Sequence, residues 1–202
     1  MSVTTNSTGS VIVAVTFQGI IYRSLDSGNT WTSTNSNVHW GGVSSNQLGT
    51  QFVAYAIDGG IYTSMDGATW MQTSAPNNAW TQVVSDASGR KLVAVSYYLG
   101  GNYNGFIYTS TDFGVTWNMM PNAPPSTWTS VSSDSSGTTL VAVCQATQRP
   151  DTPPLSGSIY TSRDSGATWR QMSNSSTLWT AVATDKSGTN RAAIIAGAVY
   201  LF

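Results

Sequence analysis

The stretch Tyr108–Trp117 reads YTSTDFGVTW, and close copies stand at Tyr22 (YRSLDSGNTW), Tyr62 (YTSMDGATW) and Tyr160 (YTSRDSGATW). A string repeated four times in one chain builds architecture. Working outward, the similarity extends to a whole unit. The third unit begins AWTQVVSDASGRKLVAVSYY, continues through GFIYTSTDFGVTW, and hands over at STWTSVSSDSSGTTLVAVC. Each unit offers four strand candidates: W-T-x-V-x-S, an L-V-A-V-like run, x-I-Y-T-S, and a segment starting at the tryptophan that closes the box. Short or alternating apolar runs punctuated by S-G, D-G and G-G turns support strands throughout. No segment carries a helical period long enough to assign.

All eight tryptophans fall at repeat positions. Trp31, Trp70, Trp117 and Trp169 close boxes, whereas Trp40, Trp80, Trp128 and Trp179 open units. The boxes recur about every 40–50 residues, the length of a four-stranded propeller blade. Five units are present. The first starts at Ser2, just after the position of its tryptophan, and the last runs from Trp179 to Phe202 and stops in its third strand. The expected fold is therefore all-β: a five-bladed β-propeller of four-stranded blades, the last lacking its outer strand. Residues 1–202 are expected to form one domain. Closure is expected from packing of the first blade on the last, with Ile12, Val13, Val15, Ile194 and Ile195 as candidates. The unpaired edge at Val199–Phe202 is a candidate surface for an oligomer.

The pattern S-x-D-x-G-x-T-W at Ser24–Trp31, Ser110–Trp117 and Ser162–Trp169 resembles the Asp-box, or BNR, repeat. The copy at Ser64–Trp70 lacks one residue between Asp66 and Gly67, so its turn should differ. Proteins with this repeat include sialidases, sortilin-type receptors, xyloglucan-cleaving endoglucanases, photosystem II assembly factors and lectin-like propellers. The resemblance implies architecture and leaves function open. In the box, Asp26, Asp66, Asp112 and Asp164 are expected to accept turn N–H groups. Glycine supplies a backbone conformation that other residues resist, and each box tryptophan is expected to bury its ring beside the blade.

Composition narrows the function further. Only 8% of the 202 residues are charged and the net charge is −1. With no clustered Lys or Arg, nucleic acid is excluded as a main partner. No apolar run approaches membrane-spanning length, and no secretion signal is visible at the start. The single cysteine, Cys144, lies in the apolar run LVAVC and reads as a buried thiol; no disulfide framework, metal site or cofactor is expected. All nine acidic residues are aspartates. Asp86, Asp134 and Asp185 lie in the turn after strand one, and only Asp58 and Asp151 fall outside the repeat. Both occupy turns between strands two and three, so a carboxylate pair for glycoside hydrolysis is the third reading. A sialidase-type arginine triad cannot be assembled. Arg23 and Arg163 lie at boxes and Arg90 and Arg191 at strand-one turns, leaving Arg149 and Arg170. The lone histidine, His39, reads as a surface or packing residue.

Two insertions remain. Unit three expands its strand-two-to-three loop to SYYLGGNYNG (96–105), and unit four to QATQRPDTPPLSG (145–157). Loops on a rigid scaffold carry binding. Tyr97, Tyr98, Tyr103, Asn102, Asn104, Gln145, Gln148 and Arg149 supply stacking faces and planar amide and guanidinium donors. The leading expectation is a non-enzymatic, carbohydrate-binding, lectin-like module. The alternative is a protein-interaction or assembly propeller.

Overall fold

A computed structural model describes residues 1–57, 59–97, 105–145, 157–175, 178–195 and 198–202. Among these residues, five antiparallel sheets follow one another along the chain. Blade one comprises β1 (Ser2–Thr5), β2 (Ile12–Val15), β3 (Ile20–Ser24) and β4 (Thr32–Asn35). Blade two comprises β5 (Trp40–Ser45), β6 (Phe52–Ala56), β7 (Ile61–Ser64) and β8 (Met71–Gln72). Blade three comprises β9 (Ala79–Ser85), β10 (Leu92–Tyr97), β11 (Ile107–Ser110) and β12 (Asn118–Met119). Blade four comprises β13 (Thr127–Ser133), β14 (Leu140–Gln145), β15 (Gly157–Ser162) and β16 (Arg170–Ser175). Blade five has three strands, β17 (Ala181–Thr184), β18 (Arg191–Ile195) and β19 (Ala198–Leu201). The fold is a five-bladed β-propeller whose last blade lacks its outer strand.

The second strand explains the stacking of blades. A strand with one covered face alternates apolar and polar residues, whereas one covered on both faces is apolar throughout. Leu92–Val95 and Leu140–Val143 are fully buried, because blades three and four have neighbours on both sides. Four hydrophobic clusters fill the junctions between consecutive blades. In the first, Val13, Val15 and Ile21 of blade one meet Trp40, Val43, Phe52 and Ala54 of blade two, with Tyr62 and Trp70 packed alongside. The same positions recur in the next two junctions, as in Val93, Val95 and Ile107 against Trp128, Val131, Leu140, Tyr160 and Trp169. At the fourth, Val141, Val143 and Ile159 meet Trp179, Val182 and Ala193 of blade five. In blades two to five, the strand-three tyrosine stands edge-on to the tryptophan that opens its unit, at 5.1 Å for Tyr62–Trp40 and 5.4 Å for Tyr200–Trp179.

Among the described residues, no hydrophobic cluster packs the first blade on the last, contrary to expectation. Val13 and Val15 are committed to the junction with blade two, and Ile195 lies against the junction with blade four. In β2 and β18 burial is consequently one-sided. The box tryptophans follow the same logic. Trp70, Trp117 and Trp169 each pack into the junction with the preceding blade. Trp31 joins no junction among the described residues and stays 45% exposed, contrary to the burial expected of all four.

The repeated turn between strands three and four rests on two side chains. Ser110 Oγ accepts the Gly114 N–H at 2.8 Å and donates to Asp112 Oδ1 at 2.8 Å. Asp112 in turn accepts the Thr116 N–H at 2.8 Å and the Thr116 hydroxyl at 2.6 Å. Ser24–Asp26 and Ser162–Asp164 repeat this arrangement. The chain turns through left-handed backbone at Ser27, Phe113 and Ser165, with φ of 61°, 60° and 59°. Such a conformation is costly outside glycine, and the glycine that follows each one extends it at less cost. The box at Ser64 omits this residue. Gly67 N–H reaches Ser64 Oγ directly at 2.8 Å, and Asp66 accepts both the Ala68 and Thr69 N–H groups.

The buried Ser110 hydroxyl satisfies an N–H that has no other acceptor, so Ser110→Ala should destabilise the protein by about 1–2 kcal/mol in denaturant titration. The box carboxylates also set an acid limit. Hydrogen bonds from the threonine hydroxyls hold Asp26, Asp112 and Asp164 below the ordinary carboxylate range, and the Thr69 N–H is the main cause holding Asp66 down to about 2. Depressed carboxylates stabilise the fold above their unfolded value of 3.8 and lose that contribution as pH falls through the folded value. The melting temperature should hardly change between pH 5 and neutrality as far as these groups are concerned (about pH 5 being one unit above that value) and should fall on acidification towards pH 2, as followed by circular dichroism.

Candidate functional site

Up-and-down antiparallel strands send the strand-two-to-three and blade-to-blade loops to one face of the propeller. The strand-one-to-two turns and the boxes go to the other. On the loop face, backbone hydrogen bonds hold the first three blade-to-blade segments against the strand-two-to-three loop of the unit they follow. Ser36 N–H donates to Gly19 O at 2.8 Å, Asn78 N–H to Gly59 O at 3.0 Å, and Gly105 and Ser126 exchange both bonds at 2.9 and 3.1 Å. The loop face is thus a built surface.

Of the residues nominated from the expanded loops, Tyr97 ends β10 opposite Ala79 and Gln145 ends β14 opposite Thr127. Both are half-buried. They occupy the same repeat position in neighbouring blades. Tyr98, Asn102, Tyr103, Asn104, Gln148 and Arg149 lie outside the described residues, as do Asp58 and Asp151. Blades one and two place Phe17 and Ile57 at the position of Tyr97 and Gln145, and both are exposed, Phe17 by 56%. Phe17 stacks on the exposed His39 ring, with centroids 5.0 Å apart and planes 13° from parallel. Ile57 N–H donates to His39 O at 2.8 Å, which fixes the histidine backbone beside it. Leu178, just before Trp179 as His39 is just before Trp40, is exposed on the same face. Sequence reasoning set His39 aside and passed over Phe17. The available signal was an aromatic residue at the position that carries Tyr97 in the expanded blade.

The opposite face is polar. The strand-one turns of all five blades surround an axial depression of ≈ 220 Å³, lined by Ser7, Gln47, Asp86, Asp134 and Lys186 among others. The aspartates there serve their own turns. Asp86 Oδ1 accepts the Gly89 N–H at 2.8 Å, and Asp134 Oδ1 accepts the Thr138 N–H at 3.0 Å. At the rim between blades two and three, a groove of ≈ 520 Å³ is lined by Met65, Met71, Phe113 and Val115. It opens where the second box is one residue short. In the other boxes that residue donates its N–H to the neighbouring turn, as Phe113 does to Arg90 O at 2.9 Å.

Among the described residues, no group of three or more His, Cys or Asp side chains is placed to hold a metal ion. Cys144 is buried, its thiol pushed up by desolvation, and its Sγ–H donates to Ser158 O at 3.7 Å. Burial raises Tyr55, Tyr108 and Tyr160 in the same way.

No protein-family profile matches the chain, and no curated protein does. Solved structures do. The chain is similar to a GH74 xyloglucanase from Xanthomonas campestris, at 14% identity and a TM-score of 0.70 over 96% of this chain and 35% of that one. It is similar to YCF48 bound to D1 peptide, at 14% identity and 0.69 over 100% of this chain and 64% of that one. It is also similar to hydrazine synthase of Kuenenia stuttgartiensis, at 12% identity and 0.73 over 99% of this chain and 63% of that one. At such identities the likeness is one of fold, the β-propeller. The chain spans about a third of the xyloglucanase and just under two thirds of the other two.

The base of the expanded loop in blade three is pinned at Gly105. A Cβ there would lie 1.8 Å from Ser96 O and 2.7 Å from Ser126 O, both backbone atoms. Gly105→Ala should therefore cost about 1–3 kcal/mol through forced backbone displacement, read as a lower urea midpoint.

Proposed function

We propose that this propeller is a non-enzymatic binding module that engages its ligand through the loop face, and that the ligand is a carbohydrate. The observation that carries this reading is the exposed Phe17–His39 stack. It lies on the face where Tyr97 and Gln145 end β10 and β14, an aromatic ring and a planar amide at the same repeat position. A sugar ring offers an apolar C–H face to an aromatic plane and a rim of hydroxyls to amides, which are the two chemistries gathered there. The repeated turn is read here as the Asp-box, a structural element. Every described aspartate accepts hydrogen bonds from its own turn, which supports a scaffolding role over a catalytic one.

A second reading, recognition of a protein surface, draws on the aliphatic side chains exposed on that face, Ile57 and Leu178. A fold neighbour, YCF48, is described with a bound D1 peptide.

A broad glycan array tests the first reading, and Phe17→Ala tests the site. Phe17 is more than half exposed, so its removal should leave the melting temperature unchanged. Loss of one stacking contact should weaken a glycan hit about tenfold. Silence across the array, or a hit that Phe17→Ala leaves at full strength, would remove the carbohydrate reading of this face.

A further inference from the structure

The rim groove between blades two and three departs from the repeat at several positions at once. Phe113 stands where boxes one and four have Ser27 and Ser165. Its backbone is left-handed, with φ of 60°, a conformation that a bulky side chain resists. Met71 stands where the other boxes are followed by Thr32, Asn118 and Arg170, and Val115 where they have Asn29, Ala68 and Ala167. Met65 shares its position with Leu25, Thr111 and Arg163. Two of these apolar side chains come from blade two and two from blade three, and all four line the same groove. Met65, Met71 and Val115 are exposed there.

The space has a local cause. A Cβ on Gly114 would lie 3.1 Å from Thr73 Cγ2, and one on Gly166 would lie 3.7 Å from Met120 Cγ. Thr73 and Met120 therefore hold equivalent places against the box of the next blade. Backbone register agrees, since Thr73 N–H donates to Ile61 O at 2.8 Å and Met120 N–H to Ile107 O at 2.9 Å. Between blades three and four the Met120 thioether fills that place, where Thr109 Oγ1 donates to Met120 Sδ at 3.6 Å. The cavity lined there by Thr109, Ser110, Thr111 and Ser165 measures ≈ 10 Å³, against ≈ 520 Å³ where Thr63, Ser64, Met65 and Phe113 are the equivalents. The shorter Thr73 and the residue omitted from the second box leave the groove open. Its volume falls in the range of small-molecule pockets, about 300–1,000 Å³.

Asp66 is the charged residue of the lining, and it is exposed. In the other three boxes the threonine hydroxyl donates to Oδ2 and is the strongest influence on the carboxylate. At Asp66 the bonds from Ser64 Oγ and from the Ala68 and Thr69 N–H groups all fall on Oδ1, and the Thr69 hydroxyl is the weakest influence. Its Oδ2 is thus less engaged by its own turn than in the other boxes. We infer that this groove binds a small amphiphilic cation, an aromatic or branched apolar body carrying one ammonium or guanidinium group. Flexible methionine thioethers and the Phe113 ring receive the apolar body, and the single carboxylate selects a positive charge. The site lies at the rim and stands apart from the loop-face reading.

Methionine-methyl NMR on the full chain tests this, with phenylbutylamine and phenylbutyrate as probes of one body and opposite charge. The amine should move the Met65 and Met71 methyl signals saturably while Met1 and Met172 hold still. It should bind at least about tenfold more tightly than the carboxylate. Asp66→Asn, which keeps the Oδ1 acceptor, should remove that preference. Thr73→Met copies the residue that closes the next junction and should abolish the shifts at an unchanged melting temperature. Phe113→Ser, the residue of boxes one and four, weakens binding in the same way and gives a reading even where Thr73→Met fails to fold. Equal binding of amine and carboxylate, unmoved Met65 and Met71 signals, or full binding by both Thr73→Met and Phe113→Ser would each overturn the inference. Shifts at Met65 and Met71 that follow protein concentration without the amine would overturn it in favour of a second copy.

Discussion

A blade in this protein cannot be satisfied alone. The strand-two runs LVAV of blades three and four present apolar side chains on both faces, and a single sheet hides neither. Each of these blades therefore depends on the two beside it, and stability is shared between nearest neighbours, as in other repeat folds. The opening tryptophans Trp40, Trp80, Trp128 and Trp179 and the box tryptophans Trp70, Trp117 and Trp169 are the largest pieces of that interdependence. They fill the wedge that twisted sheets leave as they radiate from an axis.

The turns solve a different problem. A chain reversing between strands three and four must satisfy several N–H groups in very few residues. Serine and aspartate divide the task, the serine hydroxyl taking the glycine N–H and the carboxylate taking the threonine N–H and hydroxyl. The left-handed residue between the aspartate and the glycine is the local cost of that compact arrangement. The second box shows that the cost is optional, since its shorter turn avoids the strained residue and forms a different set of bonds.

Much of the fold was legible in the sequence, because the repeat states the same rule five times. Strand order, the three-stranded last blade and the altered turn at Asp66 all follow from comparing units. The serine of the box escaped notice, since a small polar residue in a turn has many uses and only geometry shows that Ser110 holds Gly114. The lack of a cluster joining the first and last blades among the described residues was also missed. Ile12, Val13, Val15, Ile194 and Ile195 have the composition of closure residues, but composition does not reveal which neighbour a face has already taken. At the loop face, Phe17 and His39 lie far enough apart in sequence that stacking had no periodic signature.

The relay of axial hydrogen bonds from Ser7 to Lys186 runs in one direction, each blade's N–H passing to the carbonyl of the next. Such a series has a middle and two ends that differ chemically. Among the described residues, the innermost amides of blades three and four are locked by sheets on either side, whereas blade one and blade five are each braced from one side. Opening of the structure is therefore graded along the chain, beginning at the outer blades and reaching the centre last. The sequence is near-periodic, yet among the described residues its middle blades are packed on two sides and its first and last on one.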